Sequence, residues 1–365
     1  MVASPYNLWS TRRSLGVMRD IKAEDHYFAQ FFTNGMRSTT EWIDFEKLPI
    51  RSRRLAPFVK PKARGRGLPG DRVQGFRFKP ANVVLEDAID PERPLTYEPG
   101  IDGSAYDAAN LTPMQRLELI KASMLADYDD AMERRWEWMR ARAIIDGEVT
   151  VAYEDGETVV VDFNRAAGHT EALGAGDRYG DTDVSILDHW QSVMDTMNDA
   201  EFGGMVTRIT MGGSVAPIVR RDEEIQKHLD TNLRGGTVTV ERGIIGGGAN
   251  GGKVYKFGEL MVGGASGQKV ELWVNNETYE DDTGAQRRYL GSNEVVFTST
   301  PEAIKGYECF GRIVDRDAGY EALPKFPKNF EVRNGRVVTE HLSMESAPLF
   351  VPVNPNATYK ATVLA

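Results

Sequence analysis

The chain has 365 residues, 41% of them hydrophobic, with 44 Lys and Arg against 54 Asp and Glu for a formal charge of −10. No run approaches the ~18 consecutive apolar residues of a membrane span, and Met1 to Ser10 lacks the apolar core of a signal peptide, so no membrane association is expected and the protein should stay where it is made. The length suggests about two packed units, 36 glycines and 17 prolines imply many turns and extended arms, and the single cysteine, Cys309, excludes an intrachain disulfide framework and fits a reducing cytosol.

The first predicted element is a helical arm with Arg12, Arg13, Leu15, Met18 and Ile21, followed by an aromatic cluster, Tyr27, Phe28, Phe31 and Phe32, that reads as its anchor. Trp42, Ile43 and Phe45 form a short strand-like stretch leading to Leu48 and Pro49. From Arg51 to Lys79 ten basic residues oppose one acid, Asp71, a surplus of +9 that leaves −19 on the remainder. Phe58 and Val59 precede a centre of Gly65, Gly67, Pro69 and Gly70, and Val73, Phe76 and Phe78 follow it, the pattern of two strands with a mobile tip. Val84 to Asp107 then reverses sign, with seven acids against Arg93 and prolines at 91, 94 and 99, and reads as an extended linker.

Thr112 to Asp146 reads as one amphipathic helix of about 35 residues, about 50 Å long. Thr112 is a natural N-cap, Pro113 fits the first helical position, Gln115 completes a capping box, and Gly147 ends the helix. Met114, Leu117, Ile120, Met124, Tyr128, Met132, Trp136, Met139 and Ala143 draw one apolar stripe down it. Glu118, Lys121, Asp129, Glu133, Glu137 and Arg140 are expected mostly on the remaining surface, and Asp130 and Arg134 have i,i+4 spacing. Trp136 and Trp138 lie on adjacent faces, which implies cover on more than one side, and the stripe favours Trp136 as the inward one.

Glu148 to Phe163 alternates cleanly around Asp155-Gly156 and predicts a hairpin. After a polar connection, Ile186, Trp190, Val193, Met194 and Met197 have helical spacing, Val206 to Met211 reads as a buried strand and Asp222 to Leu229 as a short helix, together an α/β unit. Strands are expected at Lys253 to Met261, Val270 to Asn275 and Val295 to Thr298, with a polar hairpin tip at Glu280 to Gly284. The final sixty residues read as strands pairing with the hairpin that follows the long helix.

Chemistry finds little foothold. Gly247 to Lys253 nearly matches a phosphate-binding loop, but Val254 stands where a magnesium-binding hydroxyl belongs and a strand follows instead of a helix. His26, His169, His189, His228 and His341 are scattered without metal-ligand spacing, and Asp181, Asp183 and Glu280 to Asp282 sit in polar turns that lack the pattern of a calcium loop. No nucleophile elbow occurs. No catalytic residue, metal or cofactor is therefore expected. Three readings stay open for Arg51 to Lys79: contact with nucleic acid through phosphates and stacking, a solvated charge run, or docking on an acidic neighbouring subunit. The surplus acid elsewhere favours docking, because an acidic body is a poor polyanion binder but a good partner for this segment.

In its order of parts the sequence resembles the major capsid proteins of lambda-like tailed phages, the capsid protein E family with the Hong Kong 97-type fold. The resemblance rests on Ala56-Pro57-Phe58-Val59 entering the basic stretch, Lys79-Pro80 leaving it, and Tyr307 to Asp317, Phe326-Pro327-Lys328-Asn329 and Ser346-Ala347-Pro348-Leu349 near the C-terminus. It implies an α+β fold divided into an N-terminal arm (1–49), an extended loop (50–83), a first peripheral part (84–182) with the long helix as its spine, an axial domain (183–300) and a second peripheral part (301–365). It implies hexamers and pentamers of an icosahedral shell enclosing double-stranded DNA, bound without sequence preference. The shell would be assembled in the host cytoplasm with a separate scaffolding protein and a portal, and a decoration protein is a further partner of such shells. The contacts expected between subunits are Arg51, Arg53, Arg54, Phe58, Lys60, Lys62, Arg64, Arg66, Arg72, Phe76, Phe78 and Lys79. Some shells of this fold join lysine and asparagine side chains; Lys60, Lys62 and Lys79 lie in the corresponding loop, but no motif selects an acceptor. The alternative function is a nucleic-acid-binding protein using Arg51 to Lys79.

Overall fold

The structure, a computed structural model, describes residues 9–20, 26–47, 74–95, 112–153, 157–226, 253–262, 268–281, 283–334 and 337–365. Helix α1 (Thr11–Asp20) lies near the start, and the long helix α2 (Pro113–Ile145) runs through the centre. No helix among the described residues is long and apolar enough to cross a membrane.

The ends of α2 follow from its sequence. Thr112 Oγ1 accepts the Gln115 N–H at 3.3 Å while Gln115 Oε1 accepts the Thr112 N–H at 2.8 Å, so two otherwise orphaned donors are satisfied reciprocally. At the other end Gly147 adopts φ +73°, which a side chain would strain. The expected stripe from Ile120 to Ala143 is buried, Trp136 within it, and only Met114 at its N-terminal end is exposed. Trp138 is also covered, donating from Nε1 to Tyr279 Oη at 3.2 Å.

The expectation for the charged positions fails: Lys121, Asp129, Glu137 and Arg140 are buried. The helix is wrapped on more than one side, and each charge has a partner there, as burial demands. Lys121 pairs with Glu340, Asp129 with Lys325, and Arg140 Nη2 with Glu308 Oε1 at 2.6 Å.

Among the described residues three large apolar cores, beside a small one at Ile313, Ala318 and Phe326, build this frame. The first joins the N-terminal half of α2 to α1 and to an antiparallel sheet of β15 (Phe326–Asn334), β16 (Val337–Ser346) and β4 (Val83–Ile89), through Met18, Ile89, Ile120, Leu125, Tyr128 and Leu342. Strand β4 corrects the extended-linker reading. Acid-rich as it is, its residues alternate, so Ile89 is buried and Asp87 accepts a 2.8 Å hydrogen bond from Tyr128 Oη on the helix side.

The second core joins the C-terminal half of α2 to the aromatic turn Phe28–Phe31 and to a sheet in which β14 (Gly306–Phe310) lies parallel to β1 (Asn34–Arg37) and antiparallel to β17 (Pro348–Pro352). Trp136, Phe310 and Phe350 meet there with tilted or edge-on rings at 5.1–6.4 Å, and Phe32 packs edge-on to Phe350 at 5.7 Å with Tyr27, Phe28 and Phe31 in the same core, so the aromatic cluster is an anchor, as its sequence implies.

The third core lies between α3 (Ile186–Asp199) and a six-stranded sheet in the order β7 (Thr170–Ala172), β18 (Thr358–Thr362), β13 (Glu294–Ser299), β8 (Val206–Met211), β10 (Gln268–Asn275) and β9 (Val254–Val262). This is the expected α/β unit, with Trp190, Val193 and Met197 facing Ile209, Leu272 and Phe297. Two of its strands, β7 and β18, lie outside the expected 183–300 boundaries, because β18 pairs with both β13 and β7. The helix expected from Asp222 is described only as far as residue 226.

The hairpin after α2 forms as expected, β5 (Glu148–Ala152) against β6 (Thr158–Asp162), but among the described residues no closing strand pairs with it. The closing strands go instead to the three sheets above. Period-two alternation specifies a strand and its faces but not its partner.

Candidate assembly surface

Strand β2 (Ile43–Lys47) pairs antiparallel with β3 (Gln74–Phe78), Ile43 opposite Phe78, and the two form a two-stranded stem. Such a ribbon is marginal alone and is held at its base. Ile43 is fully buried, and the Phe78 ring meets Phe163 edge-on at 5.5 Å. Asp44 pairs with Arg77 at 2.7 Å and Glu41 with Lys79 at 3.2 Å along its exposed flank. Exposed pairs of this kind contribute only ~0.2–1 kcal/mol, so the apolar base determines the stem's position.

Of the expected contact residues, Phe78 therefore faces its own core and Lys79 an acid of its own chain. Phe76 lies in β3, opposite Phe45. Arg51, Arg53, Arg54, Phe58, Lys60, Lys62, Arg64, Arg66 and Arg72 belong to residues 48–73, outside the described residues. The first expected strand of this loop, at Phe58 and Val59, also lies outside them. The strand that pairs with β3 is the earlier β2, so the stem begins before the expected loop boundary at Ile50.

A surface of opposite sign lies on β4 and β16. Glu86 is exposed and its Oε1 lies 3.0 Å from His341 Nδ1, with the Phe330 ring stacked on His341 at 5.3 Å. Asp90 and Glu92 follow on the exposed turn after β4, and Val84 leaves half its surface in solvent. An acidic, partly apolar face of this kind suits a basic segment that carries phenylalanine and valine.

The other polar clusters are structural. Asp281 Oδ1 accepts the N–H groups of Thr283 and Ala285 at 3.0 Å and its Oδ2 faces Arg287 at 2.9 Å, which together hold this carboxyl well below the usual range. It thereby closes the tip of the expected hairpin between β11 (Thr278–Glu280) and β12 (Gln286–Arg288). Asp181 accepts from Gly176 and Arg178 in the same way. His189 lies between Tyr179 and Glu171, and His169 against the Thr358 carbonyl. Among the described residues no group of three or more His, Cys, Asp or Glu could hold a metal. Burial pushes the Cys309 thiol up to about 12, far from a nucleophile's range. A cleft of about 360 Å³ beside β8 and β10 is spanned by ion pairs of Arg208 with Glu271 and Lys269 with Glu259.

Sequence reading missed the buried charges along α2. The i,i+3 pair Glu137 and Arg140 was visible in sequence, but that spacing belongs equally to an exposed helix face.

Comparison with known proteins gives this arrangement a context. The P21 prophage-derived major head protein of Escherichia coli O6:H1 strain CFT073 and the major capsid protein of Enterobacteria phage P21 are each 23% identical over 356 residues, 96% of this chain and 97% of theirs. A crystal structure described as that of a prophage capsid protein from E. coli CFT073 superposes with a TM-score of 0.67 at 17% identity, covering 98% of this chain and all of that one. The fold is thus that of a capsid subunit, of the Hong Kong 97 type. The model of the family described as phage major capsid protein E matches residues 17–363, and the chain belongs to that family.

Proposed function

We propose that this chain builds the head of a tailed phage by self-assembly into hexamers and pentamers of an icosahedral shell around double-stranded DNA. The observation that carries this reading is the β2–β3 stem, anchored by Phe78 on Phe163, whose two strands are joined by residues 48–73 with eight basic residues and one acid in an otherwise acidic chain. The segment docks on a neighbouring copy through Arg51, Arg53, Arg54, Phe58, Lys60, Lys62, Arg64, Arg66 and Arg72, and the exposed acids on and after β4 are its complement. Each contact is weak and sensitive to salt, and their number closes the shell. In this reading α2 is the spine of a peripheral domain and the six-stranded sheet belongs to an axial domain at the capsomer centre. A separate scaffolding protein, a portal and possible decoration proteins are its partners, and assembly takes place in the host cytoplasm.

Light scattering and negative-stain microscopy of the purified protein across a salt series test this. Uniform round shells that dissociate as salt rises are expected. A monomer that stays monomeric at every salt concentration while binding DNA with steep salt dependence would favour the nucleic-acid reading instead.

A further inference from the structure

Between β14 and β15 the chain forms a compact loop whose most exposed side chains its own subunit does not use. The Ile313 N–H donates to the Glu321 carbonyl at 3.0 Å and the Tyr320 N–H to the Asp315 carbonyl at 3.3 Å, so Val314 and Tyr320 lie across the neck of the loop from one another. Ile313 and Ala318 are buried against Phe326, with Leu323 beside them. Lys328 on β15 clamps the loop, taking Asp315 at 2.8 Å and Asp317 at 2.7 Å, and Asp315 Oδ1 accepts the Asp317 N–H at 2.7 Å. The loop is therefore held in shape by its own subunit before it meets anything else.

On this support Val314 is 71% and Tyr320 55% exposed. Tyr320 adopts φ +58°, a left-handed backbone that is an outlier for a bulky side chain. Among the described residues its ring makes no ring contact and its hydroxyl no hydrogen bond. A glycine at 320 would release the strain and remove exposed apolar surface, so the subunit's own stability gives no reason for this tyrosine. Arg312 and Arg316 are exposed as well, and among the described residues neither guanidinium is paired. Tyrosine and arginine on a preformed support are side chains that carry much of the binding energy at protein interfaces.

Position and charge select the partner. Lys328 alternates onto the same face of β15 as Phe330, whose ring stacks on His341 beside Glu86, so the loop borders the acidic face already assigned to a neighbouring copy. Two arginines there repel the basic segment 48–73 but suit the acidic remainder of the copy that carries it. Nucleic acid is the poorer fit, because Asp315, Asp317 and Glu321 offset Arg312, Arg316 and Lys328 and leave no net positive charge.

We propose that residues 312–321 are a second, rigid docking element for a neighbouring copy of this chain, with Val314 and Tyr320 seated on an apolar spot of its acidic body and Arg312 and Arg316 on the carboxylates around that spot. The proposal rests on the self-assembly reading and adds a contact independent of the basic segment.

Two measurements on the full chain test it together: the concentration threshold for assembly, by light scattering, and the unfolding midpoint of dissociated subunits. Tyr320→Gly should leave the midpoint unchanged or raised and should raise the threshold by about tenfold or more, the loss of one strong contact. Arg312→Ser combined with Arg316→Ser should also raise the threshold at an unchanged midpoint. Thresholds equal to wild type in both variants would overturn the proposal while leaving the self-assembly reading in place. Wild type that stays monomeric at every concentration would overturn both. A lowered midpoint in both variants would make these side chains part of the subunit's own fold and overturn the proposal. An arginine variant that assembles normally but loses retention of a DNA duplex would assign those arginines to nucleic acid and overturn it too.

Discussion

Arg165 donates from Nη1 to the Ile145 carbonyl at 2.8 Å and to the Ile144 carbonyl at 3.2 Å, so a side chain beyond the β5–β6 hairpin closes the C-terminus of α2. The same side chain fills the space over Gly147, where a Cβ would lie 2.9 Å from Arg165 Cβ. Burial lowers the Arg165 pKa to about 10, and it remains a cation at neutral pH, suited to the negative end of the helix.

Arg165→Ala should therefore cost roughly 2–3 kcal/mol, the range for charge-assisted hydrogen bonds lost from partly buried carbonyls. Gly147→Ala should cost at least ~1–2 kcal/mol from its left-handed backbone, plus the clash. Denaturant unfolding of dissociated subunits measures both. The double variant should be somewhat less destabilised than the sum of the single ones, since Arg165→Ala removes the Nε and Cδ atoms that a Cβ at Gly147 would meet at 2.9 and 3.2 Å and leaves only the contact with Cβ.

The Phe78–Phe163 contact makes a second prediction. Phe163→Ala, at a buried position, should destabilise the subunit by about 3–5 kcal/mol. A double-mutant cycle with Phe78→Ala should show coupling of about 0.5–1.5 kcal/mol, and zero coupling would mean that the stem is not anchored there.

Lys121, buried on α2, pairs with the partly buried Glu340 on β16. Lys121→Met strands Glu340 and should cost about 3–5 kcal/mol, while Lys121→Met with Glu340→Gln should recover most of that loss. Unfolding midpoints at neutral pH distinguish the two outcomes.

Reversing charge at Arg64, Arg66 and Arg72 together should abolish assembly while leaving the circular dichroism and unfolding midpoint of the subunit unchanged. Normal shells from that variant would show that this loop does not join subunits.

Local signals carried much of the fold. The capping box at Thr112, the stripe on α2, the helical spacing from Ile186 to Met197 and the alternation of Glu148 to Phe163 each specify an element from residues close in sequence. What they could not show was long-range pairing. The acid-rich Val83–Ile89 becomes a strand only because β16 lies beside it, and β18 joins the six-stranded sheet from the far end of the chain. Burial of Glu137 and Lys121 likewise depends on what covers α2 from elsewhere. The basic segment was conspicuous by composition alone, but composition gives charge and not an acceptor; the face bearing Glu86 and His341 emerges only when β4 and β16 pair.

The central claim is that residues 51–72 of one copy hold a neighbouring copy. Reconstruction of shells assembled from this chain by electron cryomicroscopy tests it most directly. The account predicts that these residues extend from the β2–β3 stem onto the solvent face of a neighbour's β4 and β16, with arginines against Glu86 and the acids that follow it. Shells in which the segment folds back on its own subunit, or lies against packaged DNA, would contradict it.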